Sequence, residues 1–275
     1  MILIIRCSEI LNAELMHKGD KYMYKMILTD LDHTLLKSDG SISEKTIQIL
    51  RKCREQGILF AIATARYWIG AEKYIELLKP DYEITTDGTL IHSNDNCVYS
   101  SSLSMEKTNA IVKEILKQAP NSEITVASGK TVLWNSKHIS ESKKLYKAQY
   151  FEYDTPITCE ANKIVAELPN EAIASGIATK TDCKLQCYRG ENWYAFLPNG
   201  AGKTEAIKEM ASICDIDLRE IVAFGDDKND IEMLKLCGRG IAVANAISEV
   251  LEIADEVTLT NDEAGVAVWI ERNIL

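Results

Sequence analysis

The stretch Met26-Ile-Leu-Thr-Asp-Leu-Asp-His-Thr34 constrains this chain more than any other. Its apolar run, Met26 to Leu28, reads as a short buried strand, and two carboxylates, Asp30 and Asp32, stand where that strand ends. A parallel strand in an α/β sheet opens its carboxyl end into the crevice where ligands bind. Two acids side by side there repel each other, so the arrangement calls for a positive charge between them. The plainer reading of Asp-x-Asp-x-Thr is a polar turn that closes a strand. The rest of the chain decides between the two.

Downstream, strands and helices alternate. Ser43 is placed to cap a helix that runs to Gly57, where a C-cap belongs. A strand over 58–63 ends at Thr64-Ala-Arg66, a helix runs to about Lys79 before Pro80, and a strand over 82–86 ends at Asp87-Gly88. The rhythm then changes: a hairpin over 89–101, a helix over 105–118, strands at 122–128 and 131–135, a helix near 138–148, and strands around 162–168 and 183–197 with a short helix between them. The βα rhythm resumes with a helix over 203–214 and the strand Ile221–Gly225, which ends in Asp226-Asp-Lys-Asn-Asp230. Short strands and helices then alternate to a last helix over 262–273. This pattern predicts an α/β fold: a Rossmann-like, doubly wound parallel sheet over 26–87 and 198–275, with an α+β module inserted at 88–197. Residues 1–25 carry no motif and read as an extension, and Met23 and Met26 each stand where translation into the key strand could begin. The opening Met-Ile-Leu-Ile-Ile lacks the flanks of a secretion signal.

A formal net charge of −10 over 275 residues argues against nucleic acid or an anionic membrane as partner, since both reward basic surfaces. No apolar run approaches a membrane span. The eight cysteines lack the spacing of a zinc site and read as reduced, mostly buried thiols of a cytoplasmic protein, monomeric or homodimeric. Three look-alike motifs fail. A calcium loop from Asp30 lacks its Gly and Glu, Gly202-Lys203-Thr204 lacks the Gly five positions before Gly202, and Gly238-Arg-Gly240 leads to Val243 where a dinucleotide fingerprint needs a third Gly.

The ends of the core strands and the start of one core helix carry Asp30 and Asp32, Thr64, Lys203, and Asp226, Asn229 and Asp230. A parallel sheet brings such ends to one edge. The set fits phosphoryl transfer through a carboxylate nucleophile. Asp30 attacks phosphorus, and Asp32 serves as acid toward the leaving alcohol and base toward water. Asp30, Asp32 and Asp226 are the candidate ligands of Mg2+, a hard cation that prefers oxygen. Thr64, Ala65, Arg66, Lys203 and Asn229 are the candidate phosphate and substrate contacts, with Asp230 and Asp87 in support.

These segments, with Val243-Ala-Asn-Ala246 and Thr260-Asn-Asp-Glu-Ala-Gly-Val266, resemble the haloacid dehalogenase superfamily of phosphohydrolases, in its Cof-type branch with a type IIB cap. The resemblance runs from about residue 26 to the C-terminus. It implies Mg2+, an aspartyl-phosphate on Asp30, small phosphorylated metabolites such as sugar phosphates as substrates, and a cap at 88–197 that selects the leaving group. His33 departs from the family's Gly, Ala65 from a common Gly, and Asp87 from a common Asn. The extra carboxylate at 87 is placed either to repel an anionic substrate or to recognise a hydroxyl or amine. Trp134, Tyr153, Tyr188, Trp193 and Tyr194 are candidate cap contacts, whereas His92 and His138 read as surface residues. A phosphomutase or phosphotransferase on the same fold, and a non-catalytic phosphate-binding regulator, are the competing functions.

Overall fold

The structure, a computed structural model, describes residues 24–136, 147–188 and 192–275. All but the last two residues of the 1–25 extension lie outside these residues, as do His138 and all but the last two residues of the helix expected near 138–148. The described strands are, in chain order, β1 (Met26–Thr29), β2 (Leu59–Ala63), β3 (Tyr82–Thr85), β4 (Leu90–Ser93), β5 (Asn96–Ser100), β6 (Ile124–Ser128), β7 (Thr131–Trp134), β8 (Gln149–Tyr150), β9 (Lys163–Glu167), β10 (Lys184–Cys187), β11 (Trp193–Leu197), β12 (Ile221–Gly225), β13 (Arg239–Ala242) and β14 (Glu256–Val257). They form one sheet in the order β14-β13-β12-β1-β2-β3-β4-β5 and a second in the order β10-β11-β9-β6-β7-β8.

Every pair from β14 to β3 is parallel. Met26, Ile27 and Leu28 of β1 are fully buried, as a strand covered on both faces must be. The helices that cover it start and stop where the sequence signals them. The Ser43 side chain accepts from the Thr46 N–H at 3.0 Å and caps the helix Glu44–Glu55. Lys79 ends the helix Trp68–Leu78 in the left-handed region, one residue before Pro80. From β1 the chain winds outward through β2 and β3 to β4 and β5, leaves the sheet, and returns at β12 on the other side of β1. The order in which the chain adds strands therefore reverses between β1 and β12, which opens a crevice beyond their carboxyl ends.

The second sheet has its own core. The helices Met105–Gln118 and Glu171–Thr181 pack on each other and bury Ile111, Ile115, Ile164, Ile177 and Phe196. This module starts later than expected. The 90–100 hairpin, placed by sequence in an insertion beginning at residue 88, instead extends the first sheet, with β4 antiparallel to β3 and Ile91 opposite Ile84. Leu90 and Ile91 seal an apolar edge that β3 would otherwise leave open. Turn chemistry reveals a hairpin, but not which sheet it joins.

His92 on β4 is a second correction: it is buried at 3 % exposure rather than on the surface. Its Nδ1 has no hydrogen-bond partner, and its ring lies 6.0 Å from that of Trp68. Burial, aided by Lys130, lowers its pKa from 6.5 to about 4. Between those values the unfolded chain binds the extra proton, so stability is lost as pH falls through this window, by about 3 kcal/mol at most. We expect His92→Leu to narrow the stability gap between pH 7.5 and pH 5 relative to wild type in urea unfolding. An unchanged gap would remove His92 as its source.

The described cysteines form no disulfide, yet only Cys53 and Cys237 are buried while Cys97 and Cys187 are exposed, so the expected general burial of thiols does not hold. Among the described residues no helix is long and apolar enough to cross a membrane.

Candidate active site

Strand register assembles the site. Thr29 of β1 pairs with Phe224 of β12 and with Ile62 of β2, so Asp30, Asp226 and Thr64 leave three adjacent strands at one edge. The Asp30 N–H is still tied to the Phe224 carbonyl at 3.0 Å, which fixes where the carboxylate emerges. His33 follows at φ 58°, a left-handed conformation in which glycine is easiest, and the Asn245 side chain donates to its carbonyl at 2.7 Å. The turn then delivers Thr34, whose hydroxyl donates to Asp226 Oδ1 at 2.5 Å.

Lys203 reaches the site through close backbone packing. Thr86, Asp87 and Gly88 all have positive φ, and Gly88 lies so near the start of the helix Lys203–Ile213 that a Cβ on it would sit 2.3 Å from the Gly202 carbonyl carbon. A glycine is therefore required there if Lys203 is to face Asp30. The Lys203 ammonium donates to Asp30 Oδ1 at 2.6 Å and to Asp230 Oδ1 at 2.7 Å, with all three side chains buried. The other oxygen of Asp230 accepts the backbone N–H groups of Asp226 and Asp227 at 3.1 and 3.2 Å. Asp230, expected only in support, is thus the brace of the whole corner.

Oxygens of Asp30, Asp226 and Asp230 lie within 4.8 Å of one another. Burial pushes Asp30 well above the carboxylate range; Lys203 pulls it back, and Asp230 and Asp226 push it up again. Burial likewise raises Asp226 to about 6, against the Thr34 hydrogen bond. For Lys203, burial opposes the charge, but Asp230 and Asp30 outweigh it and hold the ammonium protonated. One ammonium among three carboxylates leaves an excess of negative charge in a buried place. An all-oxygen donor set with that excess fits a hard divalent cation.

The remaining expected residues divide. Thr64 is buried and its hydroxyl accepts from the Arg66 N–H at 3.2 Å. Asn229 is exposed on the turn before Asp230. The Asp32 side chain, expected as a metal ligand, lies outside the carboxylate cluster: both its oxygens accept from Arg66, at 2.7 and 2.5 Å. Arg66, expected on the substrate, is turned onto Asp32 and also donates to the Gly70 carbonyl at 3.3 Å. Ala65 lines a cavity of about 520 Å3 that opens beside Asp32 and Arg66.

Asp87 neither repels an anion nor stands ready for a hydroxyl, because the second sheet has already claimed it. It is ion-paired with the buried Lys163 of β9 and accepts from Gln186 Nε2 at 2.7 Å and Tyr188 Oη at 3.0 Å. Lys163 also donates to the Ala65 carbonyl at 3.0 Å. Sequence reasoning missed Lys163, whose only signal is a lysine directly before the apolar run Ile164–Ala166 of its strand. Of the candidate cap aromatics, Trp134, Tyr188 and Trp193 line the cavity. Tyr153 donates to the Ile124 and Leu133 carbonyls and Tyr194 is buried, so both serve the core of the second sheet.

The family model for haloacid dehalogenase-like hydrolases matches residues 27–270. Phosphatase YwpJ of Bacillus subtilis (strain 168) is 27% identical, the match covering 88% of this chain and 97% of the relative. The 5-amino-6-(5-phospho-D-ribitylamino)uracil phosphatase YitU of the same organism is 22% identical, covering 90% and 96%. A crystal structure of a haloacid dehalogenase-like hydrolase from Bacteroides thetaiotaomicron superposes with a TM-score of 0.78 at 25% identity, covering 90% of this chain and 99% of that one.

Proposed function

Because the chain belongs to the haloacid dehalogenase-like hydrolases, we propose that it is a Mg2+-dependent phosphatase that hydrolyses a small phosphorylated metabolite through an aspartyl-phosphate on Asp30. The observation that carries the reading is Asp30 at a sheet edge with Lys203 on one of its oxygens and two further carboxylates beside it. The names of relatives, with a phosphatase of a ribitylaminouracil phosphate among them, support a small-molecule phosphomonoester. The net charge of −10 speaks against nucleic acid or an anionic membrane as partner.

Asp30, Asp226 and Asp230 would hold the divalent cation. When bound, it would offset their negative charge and that of the phosphoryl group, so that anion can approach anion. The chain's own residues do the rest. The free Asp30 oxygen attacks phosphorus, and the P–O bond to the leaving alcohol breaks. Lys203 stays on the other oxygen and balances the charge of the phosphoryl group. Asp32 gives a proton to the leaving oxygen, then takes one from the water that attacks phosphorus, and inorganic phosphate departs with Asp30 regenerated. Asp32 must loosen its grip on Arg66 to do this, which frees the guanidinium for the substrate's phosphoryl oxygens. The module built on the second sheet would close over the leaving group.

Phosphate release from a panel of phosphomonoesters tests the reading. Turnover in Mg2+ should fall to background with chelator and return when Mg2+ is restored in excess. Turnover indifferent to chelator would reject the metal requirement, and release from no ester by the folded protein would reject the phosphatase.

A further inference from the structure

Lys163 and Asp87 form a buried ion pair between the two sheets, with no part in the chemical steps above. Lys163 opens β9 of the second sheet, and Asp87 follows β3 of the first. Gln186 and Tyr188, which donate to the same carboxylate, also belong to the second-sheet module. The Lys163 ammonium has a further hold on the first sheet, at the Ala65 carbonyl.

Both loops that Lys163 touches serve the site. The loop after β2 carries Thr64 and Arg66, and the loop after β3 carries Thr86, Asp87 and Gly88. Backbone bonds join them into one platform: the Thr86 N–H donates to the Arg66 carbonyl at 2.7 Å and the Asp87 N–H to the Thr64 carbonyl at 3.3 Å. Gly88 then meets Gly202, directly before Lys203. This platform is costly to hold. Thr86 and Asp87 both sit at φ 57°, a region that suits a β-branched side chain least of all. The Thr86 hydroxyl is buried without a hydrogen-bond partner among the described residues. Such a conformation persists only where its surroundings over-determine it. The first sheet supplies the two backbone bonds, and the second-sheet module supplies the charged hold on Asp87. A pair of this kind is also reversible, because both charges regain water when drawn apart.

We propose that Lys163 is a positioning residue of the active site. Seated on Asp87 and the Ala65 carbonyl, it holds the platform in the form that presents Thr64 and Arg66 and backs Lys203. The site is therefore complete only with the second-sheet module docked. This rests on the phosphatase reading and adds the path by which docking of that module reaches the chemistry on the first sheet.

Lys163→Met keeps the stem and removes the ammonium. Phosphate release per folded protein is measured in Mg2+ on p-nitrophenyl phosphate and on ribose 5-phosphate, two esters with unlike leaving groups. The variant should lose about tenfold to a hundredfold in kcat, by the same factor for both, with KM within about threefold of wild type. A contact to the leaving group would instead raise KM or spare one ester. Amide hydrogen exchange is measured on the same proteins. The Thr86 and Asp87 amides should exchange about tenfold or more faster in the variant, and by a larger factor than those of β1 and β12, which open on global unfolding. A merely structural loss would move both sets alike. If Lys163→Met does not fold, Gln186→Leu, which withdraws a weaker hold on Asp87, should give the same pattern with about a threefold to tenfold loss in kcat. Unchanged kcat, a change confined to KM, a loss for one ester only, or exchange that quickens in both sets alike or not at all overturns the inference. Exchange needs no turnover and so separates the two readings. Faster exchange at Thr86 and Asp87, with no release from any ester by the wild type, keeps the positioning role and sinks the phosphatase. Release by the wild type that Lys163→Met leaves intact does the reverse.

Discussion

Asp30→Asn should lower phosphate release by about ten-thousand-fold or more while the protein stays folded. The asparagine keeps the volume and one carbonyl oxygen for the Lys203 ammonium, so the packing around a residue only 6 % exposed is preserved. What it lacks is a nucleophilic oxygen. Electrostatics point the same way for the fold. Burial and the neighbouring carboxylates raise the Asp30 pKa, so removing its charge relieves repulsion from Asp230 and Asp226 and leaves Lys203 still matched by Asp230. We therefore expect a thermal midpoint within a few degrees of wild type, or above it, measured beside the activity loss. A variant that retains a tenth of wild-type turnover, after deamidation is excluded by mass, would exclude Asp30 as the nucleophile.

The corner around Asp30 could be read in advance because each of its members sits at a strand end or a helix start, where chain direction alone predicts convergence. Asp30 after β1 and Asp226 after β12 are 196 positions apart by number, yet register places them on neighbouring strands. The role of Asp230 was harder to see. Its importance comes from a turn that folds its carboxylate back onto two backbone N–H groups and Lys203, and turn geometry is not written in residue type. Asp87 and Lys163 were illegible for a stronger reason. Their pairing depends on how the second sheet sits on the first, a placement no local pattern encodes. The same holds for Asp32 and Arg66: sequence places both at the site but cannot tell a carboxylate facing a metal from one facing a guanidinium. His92 follows the edge strand, whose burial is decided by what packs above it.

Lys203→Met should cost about 3–5 kcal/mol of unfolding free energy without added metal, the penalty for leaving buried charge without its partner. Methionine fills the space of the lysine stem, so little of the loss comes from packing. It comes from Asp30 and Asp230, which lose an ammonium at 2.6 and 2.7 Å while Asp226 stays within reach of both. The pH dependence carries the diagnosis. In the wild-type protein Asp30 and Asp226 already have raised pKa values, Asp226 at about 6, and loss of Lys203 removes the main influence holding Asp30 down. A carboxyl whose folded pKa exceeds its unfolded value binds protons preferentially in the folded state. Stability of the variant should therefore recover as pH falls from 8 toward 5, with the gap to wild type narrowing over that range. Divalent cation should narrow the same gap at pH 7.5, because carboxylates that have lost the Lys203 ammonium bind it more tightly than the wild-type cluster does, and each folded protein gains stability with the logarithm of cation concentration above its own dissociation constant. Urea unfolding at two pH values, with Mg2+ and with chelator, reads all of this. A loss independent of both pH and Mg2+ would mean that Lys203 acts through packing, and that the three carboxylates do not form one electrostatic unit.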